Sequence, residues 1–152
     1  MVGSSQNLTI TVTPDHVGRY SCKASVMGFD EIGADATIYL KGPPSITSTK
    51  KQFGIPGDTS RIECIAFSIP KARHIVWSFN GREINSSHDE NYSILEELLP
   101  YGLKSILIIR DSETKHFGKY NCSVVNEYGH DNVEIELSGQ CKYLNINNIT
   151  TK

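Results

Sequence analysis

Three residue types between positions 64 and 122 constrain the fold of this chain most. Cys64 is followed thirteen residues later by the only tryptophan, Trp77. A second cysteine ends the run Gly118-Lys119-Tyr120-Asn121-Cys122. Each of these residues lies where apolar and polar side chains alternate, which is the period of a half-buried β-strand. The segment therefore predicts several short strands that each send one face into a common core.

A cysteine, a tryptophan and Gly-x-Tyr-x-Cys in this order resemble the immunoglobulin sandwich. The resemblance implies a disulfide between Cys64 and Cys122 that joins two antiparallel sheets, with Trp77 packed against it. It also implies that Tyr120, two residues before the second cysteine, forms the corner hydrogen bond of the fold.

Strands are predicted on both sides of these residues. We expect one edge strand at 45–55, a loop at 85–91, a short strand at 92–95 and an irregular insertion at 96–103. Asn80-Gly81 predicts a tight hairpin, because both residues tolerate positive φ. The side chains predicted to point inward are Ile62, Cys64, Ala66, Ile75, Trp77, Phe79, Leu107, Ile109, Tyr120, Cys122, Val124, Val133, Ile135 and Leu137.

The first part of the chain repeats the end of the second. Gly18-Arg19-Tyr20-Ser21-Cys22 has the Gly-x-Tyr-x-Cys pattern found a hundred residues later. Alternation predicts one strand at 8–12 and a closing strand at 34–40. Three strands without an opposing sheet cannot bury their apolar faces, so this half is predicted to be marginally stable or unfolded in isolation.

The predicted organisation is all-β: an immunoglobulin-like sandwich, with one complete domain preceded by the C-terminal half of another. Residues 1–41 form that half, 42–44 a linker, 45–138 the complete domain and 139–152 a disordered tail. Gly42-Pro43-Pro44 predicts a semi-rigid link, because proline restricts itself and the preceding residue. Tandem domains joined in this way are expected to form a rod.

The four cysteines consist of the implied pair and two others, Cys22 and Cys141. Either these two bond to each other, or they have lost partners that lie outside this chain. We favour the second interpretation for Cys22, because its partner would lie on a strand that is missing from the first half.

Composition indicates an exported recognition module. The net charge of −2 argues against nucleic acid or an anionic membrane surface as the partner. Five N-glycosylation sequons begin at Asn7, Asn85, Asn91, Asn121 and Asn148. The start has no secretion signal and no apolar run is long enough to span a bilayer. We therefore interpret the chain as a fragment of an extracellular protein, or as an incomplete gene product.

No pattern of catalytic or cofactor-binding residues stands out. The histidines (His16, His74, His88, His116 and His130) lack ligand-like neighbours and are interpreted as surface or turn residues. The acids Asp89, Glu90, Glu96 and Glu97 lack the spacing of a calcium loop and are interpreted as solvated charge. The prediction is a chain that is not an enzyme and has no cofactor or metal.

Two features bear on recognition. Ile106 and Ile108 are predicted on the outer surface of a sheet, where an apolar pair marks either a contact or a strand covered by its neighbours. Asn121 is predicted to point outward, and a glycan there would mask part of the other sheet.

Five motifs resemble the irregular chiasm C-roughest and kin-of-irre family of nephrin-like adhesion proteins. They are Gly42-Pro43-Pro44-Ser45-Ile46-Thr47-Ser48, Pro70-Lys71-Ala72-Arg73-His74, Leu107-Ile108-Ile109-Arg110-Asp111-Ser112, Gly118-Lys119-Tyr120-Asn121-Cys122 and Val125-Asn126-Glu127-Tyr128-Gly129. The resemblance covers about residues 2–138 and implies membrane-proximal immunoglobulin domains. One departure is that His16 and His116 stand where many such domains have an aspartate, which removes its usual arginine salt bridge.

This resemblance implies a stalk segment of a type I membrane receptor that acts in homophilic and heterophilic cell recognition. The partners would be other immunoglobulin-superfamily adhesion proteins, bound through domains mostly outside this chain. The location would be the extracellular side of the plasma membrane. The alternative is a secreted immunoglobulin-like binding protein or soluble decoy, if the tail is genuine.

Overall fold

The computed structural model describes residues 6–140 and divides the chain into two compact units. Unit 1 comprises Met1–Leu40 and unit 2 comprises Lys41–Lys152.

The described part of unit 1, residues 6–40, contains a single β-hairpin. After a 3₁₀ turn at Pro14–His16, strand β1 (Gly18–Ala24) pairs antiparallel with β2 (Ile32–Ile38). On one face, Ser21 and Arg19 both donate hydrogen bonds to the Asp35 carboxylate. On the other face the apolar side chains have no cover, and Ile32 is 71% exposed. None of residues 6–40 is buried.

The predicted strand at 8–12 is wrong, because these residues form no strand. A strand requires a neighbour to pair with, and no segment within 6–40 takes that place. Alternation in the sequence therefore marks a strand only where the pairing partner is also present.

Residues 41–140 of unit 2 form nine strands. They are β3 (Ser45–Ile46), β4 (Lys51–Gly54), β5 (Ser60–Phe67), β6 (Ile75–Phe79), β7 (Arg82–Glu83), β8 (Tyr92–Leu99), β9 (Gly102–Ile109), β10 (Gly118–Asn126) and β11 (Gly129–Gly139). One sheet has the order β3-β5-β9-β8, and the other has the order β4-β11-β10-β6-β7. A second 3₁₀ turn, Thr114–His116, precedes β10.

The core lies between these two sheets. Trp77, Tyr120, Ile62, Leu107 and Ile135 are each 0% exposed and come from five different strands. Their neighbours along each strand point outward, as period two requires. The predicted all-β immunoglobulin-like sandwich is confirmed.

The predicted single strand at 45–55 is wrong, because it consists of two strands in different sheets. β3 pairs antiparallel with β5, and β4 pairs parallel with β11. Between them the chain crosses from one sheet to the other, and from β4 one polar side chain still bonds to the backbone of β5. The Gln52 side chain accepts from the Glu63 amide and donates to the Glu63 carbonyl, both at 2.8 Å.

The strand predicted at 92–95 is present but extends further, and the predicted insertion at 96–103 is wrong. β8 continues to Leu99, turns at Pro100-Tyr101, and returns as β9 in a hairpin of two eight-residue strands. β8 is the last strand of its sheet, so Glu96 and Glu97 remain in solvent while the backbone still pairs. The loss of apolar alternation on an edge strand hid this hairpin in the sequence.

The Asn80-Gly81 hairpin is present as the sequence predicts. Asn80 has φ 49° and Gly81 has φ 74°, and they connect β6 to β7.

Within residues 6–140, no helix has the length and apolarity that crossing a bilayer requires.

Candidate functional site: the junction segment and outer faces of unit 2

The centre of unit 2 is a cross-link between the two sheets. A disulfide joins Cys64 on β5 to Cys122 on β10, and both residues are fully buried. Trp77 lies beside Cys122 in the strand register, and its indole N–H donates to Ser105 Oγ at 2.9 Å. Ser105 lies opposite Cys64 on β9. This buried serine satisfies the indole donor, and the sequence pattern did not identify it.

The same tyrosine corner is built in both units. Tyr120 O–H donates to the His116 carbonyl at 2.6 Å, and Tyr20 O–H donates to the His16 carbonyl at 3.0 Å. Burial raises the pKa of the Tyr120 phenol well above its usual value, so this phenol remains a neutral donor.

A histidine stabilises the turn before each corner. His116 Nδ1 accepts the Glu113 amide at 2.9 Å, and His16 Nδ1 accepts the Thr13 amide at 3.3 Å. The His116 ring also meets Tyr92 edge-on, with 5.9 Å between the ring centroids. The residue lies in a turn, as predicted, but it is buried instead of exposed. At the position where many such domains have an aspartate, an imidazole thus accepts the backbone amide.

The segment Gly42-Pro43-Pro44, here called the junction segment, is fastened to unit 2. The Gly42 amide donates to the Ile69 carbonyl at 2.8 Å. The Gly42 carbonyl accepts a hydrogen bond from Asn126 Nδ2 at 2.7 Å. Both hydrogen-bonding groups of Gly42 are therefore satisfied within unit 2.

Asn126 connects three parts of the chain at this point. Besides Gly42, its Nδ2 lies 3.2 Å from both Ser68 Oγ and the Pro70 carbonyl, while its Oδ1 accepts the Tyr128 amide at 2.9 Å. One side chain thus holds the junction segment, the turn after β5 and the hairpin between β10 and β11. Sequence reasoning included Asn126 in a family motif but gave it no role.

The prolines of the junction segment also pack against unit 2. Pro44 is buried. Gly129 has φ +153°, and a Cβ atom there would lie 3.2 Å from Pro43 Cβ. Because few residues other than glycine adopt such a φ, a side chain at 129 would be both strained and crowded. The junction segment is therefore an ordered part of unit 2.

Ile106 and Ile108 face outward from β9, as predicted, and are half-buried. Ile106 lies between Glu63 and Leu95 in the register, and Ile108 lies between Arg61 and Ser93. Lys104 on the same face forms an ion pair with Glu63 at 3.1 Å. This sheet face is thus apolar in its middle and charged around it.

The predicted modification and cysteine sites fall in different environments. Asn7, Asn85 and Asn91 are exposed, whereas Asn121 is half-buried and donates from Nδ2 to Ser123 Oγ at 3.0 Å. Cys22 is exposed and carries a free thiol. Asn148 and Cys141 lie outside the described residues. Among residues 6–140, no three His, Cys, Asp or Glu side chains converge as metal ligands would.

Comparison with known sequences identifies relatives across both units. The profile of the immunoglobulin-domain family matches residues 43–126. The irregular chiasm C-roughest protein of Drosophila melanogaster is 56% identical over 92% of this chain and 18% of its own length. Synaptogenesis protein syg-1 of Caenorhabditis elegans is 32% identical over 87% of this chain and 18% of its own length. The chain thus spans less than a fifth of these relatives.

Solved structures share the fold. A complex of Dpr2 Ig1-Ig2 with DIP-Theta Ig1-Ig3 aligns with a TM-score of 0.60 at 22% identity, over 82% of this chain and 41% of that one. Titin tandem domains A164-A165 align with a TM-score of 0.55 at 21% identity, over 83% and 63%.

Proposed function

Because this chain belongs to the immunoglobulin superfamily and resembles its irregular chiasm C-roughest and kin-of-irre members over most of its length, we propose that it is an extracellular stalk segment of a cell-adhesion receptor. The sequence similarity extends through unit 1, the junction segment and unit 2. In this role the segment spaces binding domains elsewhere in the receptor and itself does little of the binding.

The names of the relatives support a role in recognition between cells. One relative, 30% identical over 92% of this chain, is the Drosophila cell adhesion molecule Dscam2, and syg-1 is named for synaptogenesis. The partners we propose are other adhesion proteins of the immunoglobulin superfamily. We place the chain on the outer side of the plasma membrane, within a type I membrane protein.

The observation that supports the spacer role is the fastening of the junction segment. Both hydrogen-bonding groups of Gly42 are held by unit 2, and Pro44 is buried in it. A segment with its hydrogen bonds satisfied and two prolines has few conformations to lose, so unit 2 begins with a stiff segment, as suits a spacer.

In this proposal, the parent protein supplies the second sheet that completes the sandwich of unit 1. The uncovered face of the β1–β2 hairpin carries Cys22, Ala34 and Ile32, which is the kind of face a second sheet covers. We propose that Cys22 bonds to a cysteine on that sheet.

An aggregation assay tests the stalk role. Cells that display the complete receptor are mixed with the purified chain or, as a positive control, with the complete extracellular region. A stalk segment neither binds these cells nor slows their aggregation, whereas the complete region does both. Inhibition by this chain alone would contradict the stalk role and support a soluble decoy.

Asn126→Ala tests the fastening itself. Loss of the Asn126 side-chain amide removes its hydrogen bonds to Gly42, Ser68 and Pro70. Hydrogen exchange at the Gly42 backbone amide should therefore accelerate about tenfold or more, equivalent to roughly 1.4 kcal/mol. Asn132→Ala, at an exposed asparagine of β11, is the control and should leave Gly42 unchanged. Equal exchange in both variants would mean that Asn126 does not hold the segment.

A further inference from the structure

Strand β8 presents an open edge. It is the last strand of its sheet, and its ladder with β9 begins where the Arg110 amide donates to the Asn91 carbonyl. Because antiparallel residues alternate in which side they bond, the backbone groups of Ile94, Glu96 and Leu98 point away from β9. Within residues 6–140, no strand pairs with that side of β8.

This edge is also apolar. Leu95 is 55% exposed and Leu98 is 71% exposed on the same eight-residue strand. An exposed, apolar edge of this length is a template for pairing with another chain. Charge protects it only in part, because Glu96 Oε1 already accepts the Ile75 amide at 3.1 Å, so Glu97 is the remaining acid on the strand.

Two sequons flank the start of this strand. Asn91-Tyr92-Ser93 overlaps its first residues, and Asn85-Ser86-Ser87 lies in the preceding loop. Beside Asn91 is an open groove of about 740 Å³ whose lining includes Ser86, Asn91, Ser93 and Arg110. Arg110 is held across it, since its guanidinium donates to the Glu90 carbonyl at 2.9 Å and to Ser93 Oγ at 2.7 Å. The groove is therefore polar and exposed, and Asn91 is the acceptor asparagine that lines it.

We propose that an N-linked glycan on Asn91 lies along this groove, covers the open edge of β8 and prevents two chains from pairing through it. The proposal rests on the proposed function only in requiring passage through the secretory pathway. Such a glycan is bulky and hydrated, so a second backbone cannot approach the start of the strand.

The strand itself indicates which pairing the glycan prevents. In a two-fold antiparallel pair that places Leu95 opposite Leu95, Ser93 lies opposite Glu97 of the second copy. The Arg110 guanidinium, already bonded to Ser93, would then lie near that carboxylate. Moving the two-fold axis to Glu96 or Glu97 places like charges opposite each other, which is unfavourable. In the register centred on Leu95, Asn91 lies opposite Leu99, where a glycan obstructs both ends of the pair.

Sedimentation velocity on the secreted chain tests the proposal, with Cys22 and Cys141 replaced by serine so that disulfide exchange cannot form dimers. Peptide mapping first determines whether Asn91 carries a glycan. The glycosylated chain should be monomeric, and Asn91→Gln should form a concentration-dependent dimer. Adding Leu95→Lys to that variant should restore the monomer, because a charge in the middle of the strand opposes edge pairing. Ser93→Thr retains the sequon and the hydroxyl and should remain monomeric.

Three results would overturn the proposal. They are an unmodified Asn91 in the secreted chain, an Asn91→Gln variant that associates no more than its parent, and an Asn85→Gln variant that associates as strongly as Asn91→Gln. Sedimentation velocity uses the isolated chain, whereas the aggregation assay tests the stalk role on whole cells. Either proposal can therefore fail while the other stands.

Discussion

Units 1 and 2 share a local motif but differ in what surrounds it. Each has a 3₁₀ turn, a histidine that accepts a backbone amide, and a tyrosine corner on the strand that follows. In unit 2 the tyrosine and cysteine of that strand are fully buried, whereas Tyr20 is half-buried and Cys22 is exposed. The corner therefore forms from local sequence, and the opposite sheet provides the burial.

The difference identifies where stability comes from. Hydrogen bonds such as the corner contribute about 1 kcal/mol each, while each buried apolar side chain contributes about 1.5–3 kcal/mol. Unit 1 has the first kind of interaction and almost none of the second. The following predictions test this comparison.

Native-state hydrogen exchange should show the largest contrast. Core amides of β5 and β10 should exchange only through global unfolding, roughly a thousandfold or more slower than those of β1 and β2. Strong protection at residues 8–12 or in the β1–β2 hairpin would mean that unit 1 is stable without a second sheet.

Removing the disulfide should destabilise unit 2 alone. Cys64→Ala with Cys122→Ala opens a loop of 58 residues, and the chain-entropy model assigns about 4 kcal/mol to closing it. Denaturant titration followed by Trp77 fluorescence measures the loss. Cys22→Ser is the matched control in unit 1, and a shift of the Trp77 transition in this variant would show that the units do not behave separately.

The two corners allow a smaller test. Tyr120→Phe leaves the His116 carbonyl buried without its donor and should cost about 1–3 kcal/mol. Tyr20→Phe removes the same bond where water can replace it and should cost less than about 0.5 kcal/mol. Exchange of the β10 and β1 amides measures each effect, and equal losses would mean that burial does not distinguish the corners.

The smallest effect concerns pH in unit 1. Hydrogen bonds from Ser21 and then Arg19 hold the pKa of Asp35 below its usual value. Because the folded pKa is the lower one, this stabilisation is present above the unfolded pKa and is lost as pH falls through the folded value. Acidification from about pH 5 to 2 should therefore accelerate exchange in the β1–β2 hairpin beyond the intrinsic rate. Asp35→Asn provides the baseline, and an identical pH response in that variant would contradict the assignment.

Sequence predicted the sandwich because its core residues alternate and its cysteines, tryptophan and tyrosine have diagnostic spacing. It did not predict that the first edge strand divides between two sheets, since the side-chain bonds from Gln52 on β4 to Glu63 on β5 follow no pattern in the sequence. It missed the second half of β8 because an edge strand need not alternate. The burial of His116 and the role of Asn126 depend on contacts between residues that are distant in sequence, so no local pattern reveals them. The hydrogen bond from Asn126 to Gly42, for example, spans 84 residues.

The fastening of Gly42 also affects where unit 2 can be cut for separate expression. The family profile begins at residue 43. A recombinant piece that starts there lacks the Gly42 amide and carbonyl. The Ile69 carbonyl and one N–H of the Asn126 side chain then lose their hydrogen-bond partners. Starting at Lys41, the first residue of the unit, retains both partners.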